Sequence, residues 1–328
     1  MKKITLGSLL LCILVLGCQK NTTDVEATSD AAVITNRSCA ANEVLQAHLA
    51  ADPSLRTRMN QVEVFTRNAI ATGEFSKRIV SGGIQIPVVV NVLYKNAAEN
   101  ISDAQIQSQI DVLNRDYTNT NTDKTLIPSV FTSVDGTVNI TFVLSKIIRK
   151  ATNKKSWVPN DQMKKSSFGG IDPTDVSHYL NMWCCNLGQS LLGYSSFPGE
   201  DPAIDGVVIL YSAFGSRALY PAGTYISKYD LGRTASHEIG HWMNLYHIWG
   251  DDGGSCSGSD LVDDTPNQGA ENYNCPVFPH VSCNNNGDMS MNYMDYTADA
   301  CMYMFTKGQA SRMQSVFAAG GPRSAMGQ

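Results

Sequence analysis

Three of the six histidines in this 328-residue chain fall within eleven residues, His237-Glu238-Ile239-Gly240-His241-Trp242-Met243-Asn244-Leu245-Tyr246-His247. On a helix of 3.6 residues per turn, His237 and His241 are neighbours on one face, so both imidazoles can reach one ion. Glu238 points about 100° away from them. It can therefore reach a water on the metal rather than the metal itself, where a general base belongs. A continued helix would carry His247 off the ligand face, so the chain must turn between His241 and His247. Asn244 is the residue that tolerates the left-handed conformation such a turn needs. Three neutral imidazoles leave a zinc ion its full charge and leave a fourth position to water, which is the chemistry of metal-assisted hydrolysis.

A second stretch strengthens this reading. Asn292-Tyr293-Met294-Asp295-Tyr296 lies about 45 residues downstream, and Met294 can place a thioether beneath the imidazoles. Together the two stretches fit the pattern His-Glu-x-x-His-x-x-(Gly/Asn)-x-x-His plus a methionine turn, which resembles the metzincin zinc endopeptidases. HEIGHWMNLYHIWGDD, DGVVILYSAFG and NYMDYTADACMYMFTKGQ are similar to the pappalysin group, in its bacterial, ulilysin-like branch. The resemblance covers roughly residues 37–317. It implies that His237, His241 and His247 bind zinc, that Glu238 is the base, that Met294 is the methionine-turn residue and that Tyr296 steadies the tetrahedral oxyanion. Asn244 stands where most of that family has glycine.

The resemblance implies further features. The fold is expected to be α+β and metzincin-like in two subdomains: a twisted mixed five-stranded sheet plus the active-site helix above the cleft, and an irregular disulfide-clamped part below. Cys39, in a polar segment far upstream, corresponds to a cysteine switch that holds zinc in a latent form, since a thiolate is a strong zinc ligand. Ulilysin-like relatives favour a basic residue just after the scissile bond, but no acidic residue of this sequence can be assigned to the base of such a pocket. Relatives also bind calcium. Asp251, Asp252, Asp260, Asp263 and Asp264 crowd one loop, and Asp260, Asp263 and Asp264 are the candidate ligands.

The N-terminus sets an exported compartment. Lys2 and Lys3 precede an apolar run over residues 4–16, the layout of a secretory signal. Val15-Leu16-Gly17-Cys18 resembles a lipobox, making Cys18 the candidate lipidated residue. The organisation read from the sequence is a signal peptide over 1–17, a pro-segment over 18–78 and a catalytic domain over 79–328. Cleavage is expected near Lys77 or Arg78, where basic residues adjoin flexible glycines. The expected location is the outer membrane or cell surface, or the medium after maturation.

Nine cysteines agree with an oxidising compartment. Cys12 leaves with the signal, and Cys184 and Cys185 read as buried thiols in an apolar strand. Cys256, Cys275, Cys283 and Cys301 allow three pairings. The family resemblance suggests Cys256 with Cys283 and Cys275 with Cys301, each closure stabilising by about 2–4 kcal/mol.

The elements that must position the site follow from periodicity. Residues 84–94, 138–144, 179–187, 193–197 and 205–211 read as strands. Ser102 caps a helix whose Ile106, Ile110, Leu113 and Tyr117 share a face. Thr234 is expected to cap the zinc helix, and Thr306 to open a last helix reaching Phe317. Residues 193–197 are the candidate edge strand for an extended substrate. A formal net charge of −5 without a basic cluster excludes nucleic acid as a partner, leaving protein or peptide substrates and, through Cys18, a lipid anchor. The chain reads as a monomer. Two other classes remain open from sequence: a zinc-binding adhesin or lectin-like module without catalysis, and a hydrolase of lipid or sugar amides and esters.

Overall fold

The computed structural model describes Met1, residues 34–73 and residues 83–326. The expected signal peptide, Cys18 and the Lys77–Arg78 cleavage stretch lie outside these residues. Among the described residues, no helix is long and apolar enough to cross a membrane.

Two helices come first, α1 (Ala41–Ala51) and α2 (Ser54–Thr72). The core sheet follows: β1 (Ile84–Tyr94), β3 (Ile140–Ala151), β4 (Leu180–Cys185), β5 (Gly193–Ser195) and β6 (Val207–Leu210), in the order β3-β1-β4-β6-β5. All neighbours are parallel except β5, which pairs antiparallel to β6 and forms an edge. The sheet is thus mixed and five-stranded, as the sequence implied. Every residue of β4 and β6 is buried, which explains their near-continuous apolar runs. Cys184 and Cys185 are free thiols inside that sheet.

Helix α3 (Asp103–Tyr117) begins where Ser102 accepts a hydrogen bond from the Gln105 amide, and it buries Ile106, Ile110, Leu113 and Tyr117. The active-site helix α4 (Arg233–Trp242) packs on α3, β5 and β6. Its N-cap is Gly232, at φ 85°, and not Thr234. Thr234 lies inside the first turn, where its hydroxyl accepts from Arg37 Nη1 at 3.2 Å.

Several strand limits also differ from expectation. The strand expected from residue 138 starts at Ile140 and runs on to Ala151, because the whole length of β1 supplies it with partners. The strands expected over 179–187, 193–197 and 205–211 are shorter because pairing ends before hydrophobicity does.

After α4 the chain is largely irregular. Cys256–Cys283 and Cys275–Cys301 are the disulfides, closing loops of 27 and 26 residues. A chain-entropy argument gives each closure about 3–4 kcal/mol. A short pairing of β2 (Asp135–Gly136) with β7 (Phe305–Thr306) leads into the last helix, α5 (Lys307–Ser315). Thr306 and Gln309 make a reciprocal capping box at its start, and the helix ends at Ser315, short of Phe317.

Candidate metal centre and its cleft

The end of α4 is built to bring a third histidine round. The Leu245 amide reaches back to Gly240 O at 2.9 Å and the Asn244 amide to His241 O at 2.9 Å, with Asn244 at φ 74°. This is a Schellman ending with asparagine at the left-handed position. Replacing Asn244 by alanine places an ordinary side chain in that conformation at about 1–2 kcal/mol. Asn244→Ala is therefore expected to lower Tm and loosen metal retention, and Asn244→Gly to spare both, as thermal unfolding and metal content after dialysis will show.

His241 Nε2 lies 3.2 Å from His237 Nε2 and 3.1 Å from His247 Nε2. Each ring is oriented by its other nitrogen: His237 Nδ1 donates to Tyr293 O at 2.7 Å, His241 Nδ1 to Leu245 O at 2.8 Å, and His247 Nδ1 faces Asp251 at 2.8 Å. With Nδ1 committed, the Nε2 lone pairs are left to converge. Burial, reinforced by the neighbouring rings, pushes the His237 pKa well below its usual value and that of His241 down to about 3. Three buried nitrogens aimed at one point suit a dication, and the donor set fits zinc. Cys39 Sγ joins them: all four ligand atoms lie within 4.8 Å of one another.

Met294 is fully buried beneath α4. A Cβ at Gly240 would come 2.4 Å from its sulfur, so any larger residue there must displace the Met294 side chain. Glu238 is also buried, and its carboxylate accepts from the Cys39 thiol at 3.3 Å. Burial raises the Glu238 pKa to about 8 and lifts the Cys39 thiol well above its ordinary value. Gly193 of the edge strand backs onto Glu238, where a Cβ would come 2.8 Å from Oε1. Tyr296 donates its phenol to Cys39 O at 3.1 Å, and its ring meets His247 edge-on at 5.0 Å.

Residues 38–40 lie along β5. The Leu192 amide donates to Ser38 O at 3.0 Å and the Ala40 amide to Gly193 O at 3.2 Å, a parallel bridge. On one side of this bridge Arg37 is buried, pairing with Asp299 at 2.6 Å and donating to Thr234 Oγ1 and to Thr297 O. Asp299 Oδ2 is held by the Leu231 and Arg233 amides at 2.8 and 3.2 Å, leaving Oδ1 to the guanidinium. On the other side, α1 and α2 dock through His48, through Arg58 Nε to Gly199 O, through Thr66 Oγ1, which accepts from Asn244, and through Glu63 to Arg312.

The sequence does not single out Asp299, and it places Asp251 only in the acidic loop, not beside His247. Asp299 is one of two acidic residues in the otherwise mostly apolar stretch 289–305, and Asp251 stands one helical turn after His247; those spacings were the available signals.

The candidate calcium ligands do not converge. Asp264 accepts from Thr306 Oγ1 and the Gly308 amide, serving α5. Asp260 accepts from Thr265 Oγ1 and the Val262 amide, and burial raises its pKa to about 7. Asp263 lines a separate surface cleft with Glu63 and Arg312. Among the described residues, the cluster of three or more candidate ligands is the cysteine and three histidines.

Comparisons agree with this geometry. Residues 206–318 match the family described as Pregnancy-associated plasma protein-A. An extracellular metalloprotease of Arthroderma otae is 32% identical over 264 residues, covering 78% of this chain and 86% of the relative. One from Pyricularia oryzae is 32% identical over 255 residues, covering 76% and 80%. The structure of mature mirolysin from Tannerella forsythia in complex with a cleaved peptide superposes with a TM-score of 0.72 at 49% identity, covering 75% of this chain and 96% of that one. A mutant of promirolysin from the same organism superposes with a TM-score of 0.79 at 45% identity, covering 89% and 97%.

Proposed function

This chain belongs to the metalloprotease family described as Pregnancy-associated plasma protein-A, the pappalysin type, and from that premise we propose that it is an exported zymogen whose pro-segment fills the substrate cleft, running in the direction opposite to the substrate. Its activity is that of a zinc metalloendopeptidase. One observation carries the zymogen reading: a stretch of main chain pairs with the edge strand β5 while its cysteine enters the histidine cluster and its arginine enters a built carboxylate pocket.

His237, His241 and His247 would hold the zinc ion, which when bound supplies Lewis-acid polarisation of a carbonyl and a lowered pKa for water. Glu238 takes the proton of the attacking water and gives it to the leaving amine. Tyr296, once its phenol is released from Cys39 O, donates to the substrate oxygen as charge develops there. β5 aligns the substrate by backbone hydrogen bonds, and Met294 supports the histidines from below. The domain limits proposed are a signal over 1–17, a pro-segment over 18–78 cut near Lys77 or Arg78, and a catalytic part over 79–328. The share of this chain covered rises from 75% with mature mirolysin to 89% with the pro-form, which supports a pro-segment of this kind.

Asp299 gives the reading a specificity. With Arg37 gone, its Oδ1 faces an empty guanidinium pocket, and a basic residue just after the scissile bond fills it. Digestion of an unfolded protein by matured enzyme, with the new termini sequenced, is expected to show arginine or lysine after the cut. Asp299→Asn should lower that preference by about tenfold or more, the value of one charge-assisted hydrogen bond. Cleavage of small esters with no cleavage of protein would instead support the non-peptidase hydrolase.

Export rests on the N-terminal layout and on relatives named as extracellular, and Cys18 supplies the lipid anchor in this reading. Calcium at the acidic loop is also part of it, resting only on the crowding of five aspartates in the sequence, since Asp260 and Asp264 would have to leave their present partners to converge with Asp263 on an ion. Calcium added to zinc-loaded protein should raise Tm, and an unchanged Tm would remove it.

A further inference from the structure

The pocket of Asp299 has a counterpart on the opposite flank of the cleft. Glu200 Oε1 accepts the Phe197 amide at 2.9 Å, while its Oε2 meets His48 Nδ1 at 2.6 Å. Asp161 Oδ1 is held by Lys164 Nζ at 2.9 Å and Tyr194 OH at 3.1 Å, while its Oδ2 faces His48 Nε2 at 3.0 Å. Each carboxylate thus commits one oxygen to the catalytic part and offers the other to the pro-segment. Both ring nitrogens of His48 face carboxylate oxygens, which can only accept, so the imidazole sits there as a cation. The two carboxylate side chains are 2% exposed and His48 is 26% exposed, with His48 seated over the oxygen that each carboxylate leaves free. Buried Asp161 Oδ2 has no hydrogen-bond partner apart from this ion-pair contact. The surrounding cleft is about 230 Å³ and is also lined by Asp52, Arg58, Lys165 and Ile204.

We propose that Asp161 and Glu200 form a second cation subsite, filled by His48 in the latent protein and by a lysine or arginine side chain of the substrate in the mature enzyme. This rests on the zymogen and peptidase reading above. When the pro-segment leaves, two buried oxygens lose their cationic partner, and Lys164 balances only one of the two charges. A metal ion is a poor replacement. The two oxygens face different sides of an imidazole, and calcium at about 2.3–2.6 Å from each ligand cannot touch both as they stand. A planar guanidinium, with donor nitrogens spaced much as in an imidazole, can, and a lysine ammonium can pair with one of the two at a time.

The position along the substrate follows from the pro-segment. His48 lies seven residues beyond Ala41 on α1, about 10 Å at 1.5 Å per residue. An extended peptide covers that distance in about three residues. Arg37 and His48 lie on opposite sides of Cys39 in the chain. With Asp299 taking the residue after the scissile bond, Asp161 and Glu200 take one about three or four residues before it.

The test uses full-chain protein matured by its own cleavage or by added wild type. Peptides share an arginine after the scissile bond and carry lysine, arginine or norleucine at the third or fourth residue before it. The basic peptides are expected to exceed norleucine in kcat/KM by about tenfold. In Glu200→Gln, which keeps an oxygen for the Phe197 amide but loses the charge, the ratio should fall toward one. Asp161→Asn serves as the second variant if the first does not accumulate. A ratio near one in wild type, or one unaltered in both variants, overturns the proposal. Binding of the same peptides to zinc-loaded, matured Glu238→Gln, read by fluorescence anisotropy, requires no turnover and should give the same ranking. Equal affinities there also overturn it. Ranked binding without cleavage by wild type sinks the peptidase reading and leaves the subsite standing. Calcium chloride that raises the Tm of wild type but not of Glu200→Gln would assign the pair to a metal and overturn it.

Discussion

Glu238→Gln is expected to lower kcat/KM on a peptide substrate by about 10²–10⁴, the range for losing a positioned general base. Zinc content should be unchanged, because Glu238 is not among the converging ligand atoms, and each histidine keeps its Nδ1 partner when Glu238 is altered. Glutamine is nearly isosteric, so the close approach of Gly193 to this side chain is preserved and β5 need not move. Alanine would remove the same function but leave a gap beside Cys39 and Gly193, mixing a packing defect with a chemical one. Two readouts decide the matter: rate per zinc-loaded site, and zinc bound per chain. A variant that keeps zinc and keeps its rate would show that the proton is moved by some other group. A variant that loses both would show Glu238 acting through the metal site's architecture.

How far this site could be read beforehand depended on the range of the interactions involved. His237, His241 and Glu238 are related by one helical turn, and helical geometry places them without knowledge of the rest. Asn244 is a local backbone requirement, and its left-handed φ follows from residue type. The capping residues Ser102 and Thr306 are equally local, and both act as caps. Thr234 shows the limit of the same argument: a threonine in the right place for a cap is used instead by Arg37, 197 residues away in sequence. The Asp299 pocket depends on that contact and on one spanning 262 residues. No periodicity reports such pairs. Strand ends escape the sequence for a related reason, since pairing stops where a neighbour stops and hydrophobicity does not record the neighbour. The two-residue strands β2 and β7 carry no pattern long enough to detect. In the acidic loop, crowding suggested a cation, yet Asp264 and Asp260 are engaged by hydroxyl and amide donors that composition cannot reveal.

Latency should yield most to the residue that looks least chemical. Arg37→Ala is expected to activate the unprocessed protein more than Cys39→Ala does. The Arg37–Asp299 pair is 1% and 0% exposed, and removing one partner of such a buried pair typically costs about 3–5 kcal/mol because the other charge is stranded. If most of that cost falls on docking, the open form of the cleft gains by about 10²–10³-fold. In Cys39→Ala the thiol leaves the histidine cluster, but the main chain of residues 38–40 still pairs with β5, and Tyr296 still donates to the residue 39 carbonyl. The metal position opens while the substrate strand stays blocked, so a smaller rise is expected. The double variant should exceed either alone, since one change frees the metal and the other frees the edge strand. Initial rates on a short peptide, taken before any mature band appears by mass spectrometry, separate these effects from self-processing. Each variant needs an Asp299-independent substrate as well, because Arg37 occupies the pocket that a basic residue would enter. If Cys39→Ala alone reached the full rate of the mature enzyme, the thiol would be the whole of the lock. If neither single variant nor the double rose above the unprocessed wild type, the segment would not be inhibitory, and the path of residues 37–40 along β5 would need another explanation.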